Sequence, residues 1–222
     1  MNYESKTTAS ENDWKLLLPA SIQLKYELHN INHAAEILAQ AYPNELAEIT
    51  DALDSFWITK NDVLVGGGSE SAIPKKLSVG LRPKEWEEIK ISGDLLVKLR
   101  RRNSSVEEEL VIEDFIDGHN IDYVKNRVAV DMEWNSKDQT YDRDLFAFRT
   151  FYECDVISCA VIITRSEELN TVFKDLGVMQ KYGASTTWMG KLLPRINSGR
   201  HGGCPILIIG ITPAAFTDLE AE

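Results

Sequence analysis

The sequence predicts an α/β protein, a central mixed β-sheet flanked by helices. Three observations carry this. Residues 127–134, Arg-Val-Ala-Val-Asp-Met-Glu-Trp, alternate apolar and polar side chains with the period of a strand. Residues 156–164 and 205–211 are β-branched apolar runs, the mark of buried strands. Between them, Tyr141, Leu145, Phe148 and Tyr152 recur at i, i+4, i+7 and i+11, one stripe of a helix.

Composition sets the frame. A chain of 222 residues with 43% hydrophobic and 27% charged residues suits a soluble globular protein, with one domain over residues 1–222 as the expectation. No run approaches the ~20 apolar residues that cross a membrane. Residues 1–12 are expected to be disordered, and the polar, acidic start argues against a secretory signal peptide. Cys154, Cys159 and Cys204 are an odd set without metal-ligand spacing, which predicts reduced, buried thiols of a cytoplasmic protein. The four histidines form no metal motif.

Net charge is −11, which argues against a protein that coats nucleic acid without specificity. Two basic islands break the acidity. Residues 75–102 hold nine Lys and Arg against four acids, and residues 181–204 hold Lys181, Lys191, Arg195 and Arg200 with no acid. They can face one polyanion, or each can be a solvated surface.

In chain order, residues 14–18 form a short apolar element ended by Pro19, and residues 22–28 alternate as a weak strand. Asn32 can cap a helix running to Gln40, and Pro43 at a first helical position starts a second, with Leu46, Ile49, Leu53 and Phe56 inside. This pair predicts packing or an oligomer surface. Gly66, Gly67 and Gly68 with Ser69 form a flexible loop or a close approach to a ligand; no Gly-Lys-Ser/Thr follows, so this is not a P-loop. Residues 73–79 and 83–88 read as short helices, residues 89–102 as extended segments around Gly93, and residues 106–116 carry no decisive period. Asp138 or Thr140 can cap the helix that ends near Glu153, with Phe146 and Phe151 beside its stripe. Residues 166–175, capped by Ser166, and 185–193, stopped by Pro194, are further helices.

In the strand at 127–134, Val128, Val130, Met132 and Trp134 fall on one face, and Ala129, Asp131 and Glu133 on the other. Asp122 lies nine residues before Asp131, close to Gly118. The three acids can converge on one point if a tight turn or bend lies between them, and a buried carboxylate cluster is costly unless a cation neutralises it. Hard oxygen donors suit Mg²⁺. The plainer alternative is the wet face of an edge strand.

This order, an Asp followed by Asp/Glu-x-Glu on a strand that leads into a helix, resembles the PD-(D/E)xK nuclease superfamily. More narrowly, Ile121 to Trp134 and Pro205 to Ile211 resemble the BglII and BstYI group of type II restriction endonucleases, over about residues 28–213. The resemblance implies a restriction-endonuclease-like core and a site-specific double-stranded DNA endonuclease. It implies Mg²⁺ held by Asp122, Asp131 and the Met132 carbonyl, with Glu88 as an upstream acid. It also implies a palindromic target, 5′-phosphate ends, a homodimer, and a cognate DNA methyltransferase acting on the same site. BglII and BstYI carry an amide where Glu133 stands; BamHI carries a glutamate. Glu133 is therefore a base or a ligand. Candidate DNA-binding residues are Ser185, Thr186 and Thr187 at a helix start, Lys191, Arg195, Arg200 and His201 beside glycines, and Lys98 and Arg100 in the first island. The alternatives are a repair or junction-resolving nuclease and a catalytically silent DNA-binding protein.

Overall fold

The structure is a computed structural model and describes residues 13–65, 72–103 and 107–218. The expectations for residues 1–12 and 66–69 lie outside them. A six-stranded mixed sheet runs β1-β7-β6-β5-β4-β3. Its strands are β1 (Tyr26–Ile31), β3 (Glu87–Arg100), β4 (Glu107–Lys125), β5 (Val128–Glu133), β6 (Cys159–Arg165) and β7 (Ile206–Ile211). β5, β6 and β7 are parallel; β1, β4 and β3 join antiparallel. A two-stranded parallel sheet, β2 (Ile58–Thr59) with β8 (Phe216–Thr217), stands apart.

Period-two alternation fills two cores, one on each face of the large sheet. Val128, Val130 and Met132 of β5 join Val161, Ile163, Leu207 and Ile209 in the first. Helices α2 (Ala34–Ala41), α3 (Pro43–Asp54) and α5 (Ala72–Leu81) cover that face through Leu38, Ile49, Leu53 and Leu77, and the short α4 (Lys60–Leu64) adds Val63. Ala129, Ala160, Ile162, Ile206 and Ile208 face the second core, covered by α6 (Thr140–Glu153) and α8 (Met189–Asn197). Every residue of β5 is buried. The strand lies between β4 and β6, so it is not the wet edge strand of the plainer alternative.

The predicted strand at 22–28 is split. Pro19 leads into α1 (Ala20–Lys25), which buries Ile22 and leaves Leu24 exposed, and β1 follows. Asn32 is not the cap of α2: its backbone is left-handed and its side chain donates to the Gly203 carbonyl at 3.1 Å. Asn30 Oδ1 instead accepts from the Ala35 N–H at 2.9 Å. Residues 83–88 are not a helix. A short 3₁₀ turn at Arg82–Lys84 ends at left-handed Glu85. The chain then turns back, because Trp86 buries its ring and donates Nε1–H to Glu48 at 2.8 Å.

Neither Asp138 nor Thr140 caps α6; Gln139 holds the cap position without a side-chain bond. The α6 stripe buries Tyr141, Leu145, Phe148 and Phe151, while Phe146 and Tyr152 stay exposed. β6 begins at Cys159, because Asp155 is left-handed and the Val156 and Ile157 N–H groups still close α6 on the Phe151 carbonyl. Ser166 does cap the turn that leads into α7 (Asn170–Asp175), accepting from the Glu168 N–H at 3.3 Å. Helix α8 starts at Met189 rather than at residue 185 and passes through Pro194. The proline removes one backbone bond, but Leu192 and Ile196, on either side of it, are both buried and hold the helix on the sheet. All three cysteines are free; Cys159 and Cys204 are buried, whereas Cys154, just past the end of α6, is exposed.

β3 and β4 run on beyond the body as a two-stranded arm. Registered pairs share a face. Leu95 with Ile112 and Val97 with Leu110 therefore line one face. Lys98–Glu109 at 2.8 Å and Arg100–Glu107 at 2.7 Å line the other.

Candidate active site

Two local devices aim the acids. Asn126 and Arg127 both have positive φ, +44° and +72°, which makes the β4–β5 link a two-residue hairpin of the I′ kind. Tyr123 pairs with Val130 across it, so Asp122 faces Asp131, and the Asp122 N–H donates to Asp131 Oδ1 at 2.8 Å. On the other side of β4, Glu87 pairs with Val124 but Ile89 with Ile121. Asp122 and Tyr123 thus oppose the single residue Glu88, a β-bulge in β4. The bulge lets Ile121 enter the second core while the next residue, Asp122, lines the cleft on that same side. Gly118, at φ +39°, bends β4 just before it.

Asp122, Asp131, Glu133 and Glu88 line one cleft of about 430 Å³, together with Arg143 and Asp144 of α6. Glu88 stands exposed and accepts from Asn120 Nδ2 at 2.7 Å. Met132 turns its side chain into the opposite core, which leaves only its backbone for a ligand in the cleft. Thr164 donates to the Glu133 carbonyl at 3.0 Å and pairs with the Tyr141 hydroxyl at 2.6 Å, which ties β5, β6 and α6 together behind the acids.

The electrostatics are those of crowded, buried carboxylates. Burial pushes Asp131 well above the usual carboxylate range, with Asp144 and Asp122 adding to the effect. Burial, then the Asp144 charge, raises Glu133 to about 8. Asp144 rises to about 6 through burial, against the pull of Arg143. Asp122 is raised by burial and by Glu88. Arg143 Nη2 lies 3.0 Å from Asp144 and 3.8 Å from Glu133. Glu133 Oε2 and Asp144 Oδ2 are buried with no hydrogen-bond donor.

These orphaned oxygens test whether the residues fit a divalent cation. A buried anionic oxygen without a donor keeps its full desolvation cost. The donor set is all carboxylate, which suits a hard cation. The cluster therefore fits Mg²⁺ in chemistry, although among the described residues no three His, Cys, Asp or Glu side chains stand converged to hold a metal ion.

Sequence reasoning missed Asp144 and Arg143. The signal was present: Asp144 falls three residues after Tyr141 and one before Leu145, a charge inside the buried stripe.

None of the candidate DNA-binding residues lines this cleft. Ser185, Thr186 and Thr187 lie in the loop before α8, not at its start. The Ser185 carbonyl accepts from the Asp138 N–H, and the Thr187 N–H donates to the Ser136 carbonyl. Arg165, 1% exposed, props this loop by donating to the Thr187 carbonyl at 2.7 Å and the Tyr182 carbonyl at 3.2 Å. Arg195 donates to Asp142 at 3.1 Å and lies 3.5 Å from Asp138. Lys191 lies 3.7 Å from Asp138, and Arg200 bonds Asp142. His201 is buried, with Nδ1 unpartnered. Lys98 and Arg100 pair with Glu109 and Glu107 on the arm. Acids remote in sequence thus neutralise much of both basic islands.

The sequence model of the family "restriction endonuclease BglII/BglIII" matches residues 26–211, well over half of the 222-residue chain. The chain belongs to this restriction endonuclease family, a family of nucleases acting on DNA, and the α/β architecture with its six-stranded mixed sheet agrees with a restriction-endonuclease-like core. A comparison with curated proteins gives no match. No helix among the described residues is long and apolar enough to cross a membrane.

Proposed function

We propose that this protein is a type II restriction endonuclease that hydrolyses both strands of DNA at a short palindromic site and depends on Mg²⁺. The observation that carries this reading is the cleft lined by Asp122, Asp131, Glu133 and Asp144, with two buried oxygens lacking donors. Asp122 and Asp131, with the Met132 carbonyl, would hold the cation. When bound, Mg²⁺ supplies positive charge at the scissile phosphate and lowers the pKa of the attacking water.

The chain's own groups do the rest. Glu133 takes the proton of the attacking water or binds the cation; both roles need its carboxylate, and a base must stand within hydrogen-bond reach of that water. Arg143, with its side chain 66% exposed at the mouth of the cleft, can meet a phosphate oxygen while Asp144 orients it. Water oxygen bonds to phosphorus, the 3′ oxygen leaves and takes a proton, and a 5′-phosphate end remains. Positioning and charge carry most of such a reaction.

A palindromic target calls for a twofold dimer, so the working form is a homodimer in the cytoplasm. A cognate methyltransferase protects the same site in the host. Apolar surface is available: Phe146 and Tyr152 on α6, and the aliphatic face of the arm. Digestion of plasmid DNA tests the reading. Discrete fragments in Mg²⁺, none in excess EDTA, are expected. Structure-dependent nicking would instead mark a repair or junction nuclease, and binding without cleavage a silent DNA-binding protein.

A further inference from the structure

We propose that Asp144, carried on α6, is a fourth carboxylate of the divalent-cation site and shares a cation with Glu133. This rests on the nuclease reading above and adds to its site a residue from a third element.

Asp144 is 3% exposed and Glu133 is 9% exposed, unusual for acids. The two oxygens of Asp144 do different things. Oδ1 accepts from Arg143 Nε at 3.2 Å and Nη2 at 3.0 Å. Oδ2 is buried with no donor, and so is Glu133 Oε2. Both side chains line the cleft with Asp131 and Asp122. Arg143 is committed to the outer oxygen of Asp144 and stands 3.8 Å from Glu133, so it cannot also satisfy the inner pair.

A merely structural buried acid would end both of its oxygens on donors, because a half-satisfied polar group is worse than an apolar one. Asp144 Oδ2 has no donor of that kind except Glu133 itself. The two carboxyls stand close enough to share a hydrogen bond, so a proton offsets the pair in the cation-free protein, and a hard divalent cation can take that proton's place. Arg143 then acts as the clamp that keeps the Asp144 carboxylate turned inward. Helix α6 is packed on the sheet by Tyr141, Leu145 and Phe148, so the inner oxygen is presented from a rigid element.

Calorimetric titration of the full chain with Mg²⁺ and with Ca²⁺, without DNA, tests this. Asp144→Asn keeps an oxygen for Arg143 and removes the charge. Its cation affinity should fall ~10–100-fold, the range for removing support from a metal site. Glu133→Gln should show a similar loss, and the double variant should lose less than the product of the two, because the partners share one cation. Thermal melts establish that each variant is folded; if Asp144→Asn is not, Asp144→Glu, which keeps the charge, should bind more tightly than the equally sized Asp144→Gln. Parental affinity in Asp144→Asn, with affinity lost in Asp131→Asn, overturns the role of Asp144 and leaves the nuclease reading intact. Independent, multiplicative losses at positions 133 and 144 overturn the shared cation. A parent that binds neither ion and cleaves no DNA overturns both readings.

Discussion

The backbone N–H of Asp122 donates to Asp131 Oδ1 at 2.8 Å across the β4–β5 hairpin. One acid is thereby positioned by the main chain of another, and the side chain of Asp122 is left free for the cleft. The β4–β5 register places Asp122 on the Asp131 side of the sheet, and the bulge opposite Glu88 brings Ile121 to that side as well.

Asp131→Asn should remove cleavage by at least ~10²-fold, the scale of losing one charge-stabilising group, while leaving DNA binding in place. The same change should raise the melting temperature of the cation-free protein at alkaline pH, where Asp131 would otherwise have to ionise among Asp144, Asp122 and Glu133. Differential scanning fluorimetry without divalent ions reads the second effect. A melting temperature that falls would mean that Asp131 is stabilised by contacts the cluster does not contain.

Arg195 and Arg200 should separate. Arg195 joins α8 to Asp138 and Asp142, with its side chain 17% exposed, so Arg195→Ala should cost about 1 kcal/mol of stability as well as DNA affinity. The Arg200 side chain is 53% exposed, and Arg200→Ala should lower specific binding by ~1–3 kcal/mol with little thermal effect. Lys98→Ala and Arg100→Ala should weaken binding less and leave specificity in place, since a phosphate contact mainly sets affinity and salt dependence whereas a base-edge contact sets specificity. Gel-shift titrations on cut-site and random DNA, with melts alongside, decide it. Parental affinity and specificity in both Arg200→Ala and Arg195→Ala would remove this face from recognition.

The parts of this site that were legible are those set by period and polarity. Alternation alone assigns Val128, Val130 and Met132 to one core and Asp131 and Glu133 to the other side, as the structure has them. What was not legible depends on partners remote in sequence. That the consecutive residues Ile121 and Asp122 both face the α6 side follows from a register shift against β3, which no local pattern encodes. The basic run at 98–102 reads as free charge until β4 places Glu107, Glu108 and Glu109 beside it. Pro194 reads as a stop, and it would be one on a helix held by backbone bonds alone; tertiary burial of Leu192 and Ile196 outweighs one lost bond.

The protein should sediment as a dimer, at twice the 25.1 kDa of one chain. A cut through both strands of a palindrome needs two copies of the Asp122–Asp131 cleft related by a twofold axis. Analytical ultracentrifugation with and without a DNA duplex checks this. A species that stays at the single-chain mass in both cases would mean that each strand is cut in a separate encounter.

The pH dependence of stability should carry the signature of Glu133. Its carboxyl is raised from 4.5 to about 8, and that of Asp144 from 3.8 to about 6. The folded state therefore holds these protons more tightly than the unfolded chain. The resulting stabilisation is fully present below the unfolded values and is lost as pH rises through the folded ones. Between about pH 5 and pH 8 the cation-free protein should thus lose stability, by about 2–4 °C for each kcal/mol of difference. His201 pulls the other way. Burial lowers its pKa, so its contribution is present above its usual value and falls as pH drops. Comparing the parent with Glu133→Gln removes that background, because both carry His201. The amide cannot titrate, so the variant should melt higher than the parent at the alkaline end and show a flatter profile. Saturating Mg²⁺ should flatten the parental profile in the same way, by holding Glu133 ionised in the folded state. Parallel melting profiles for the parent and Glu133→Gln across this range would place the Glu133 carboxyl in water rather than in the buried cluster.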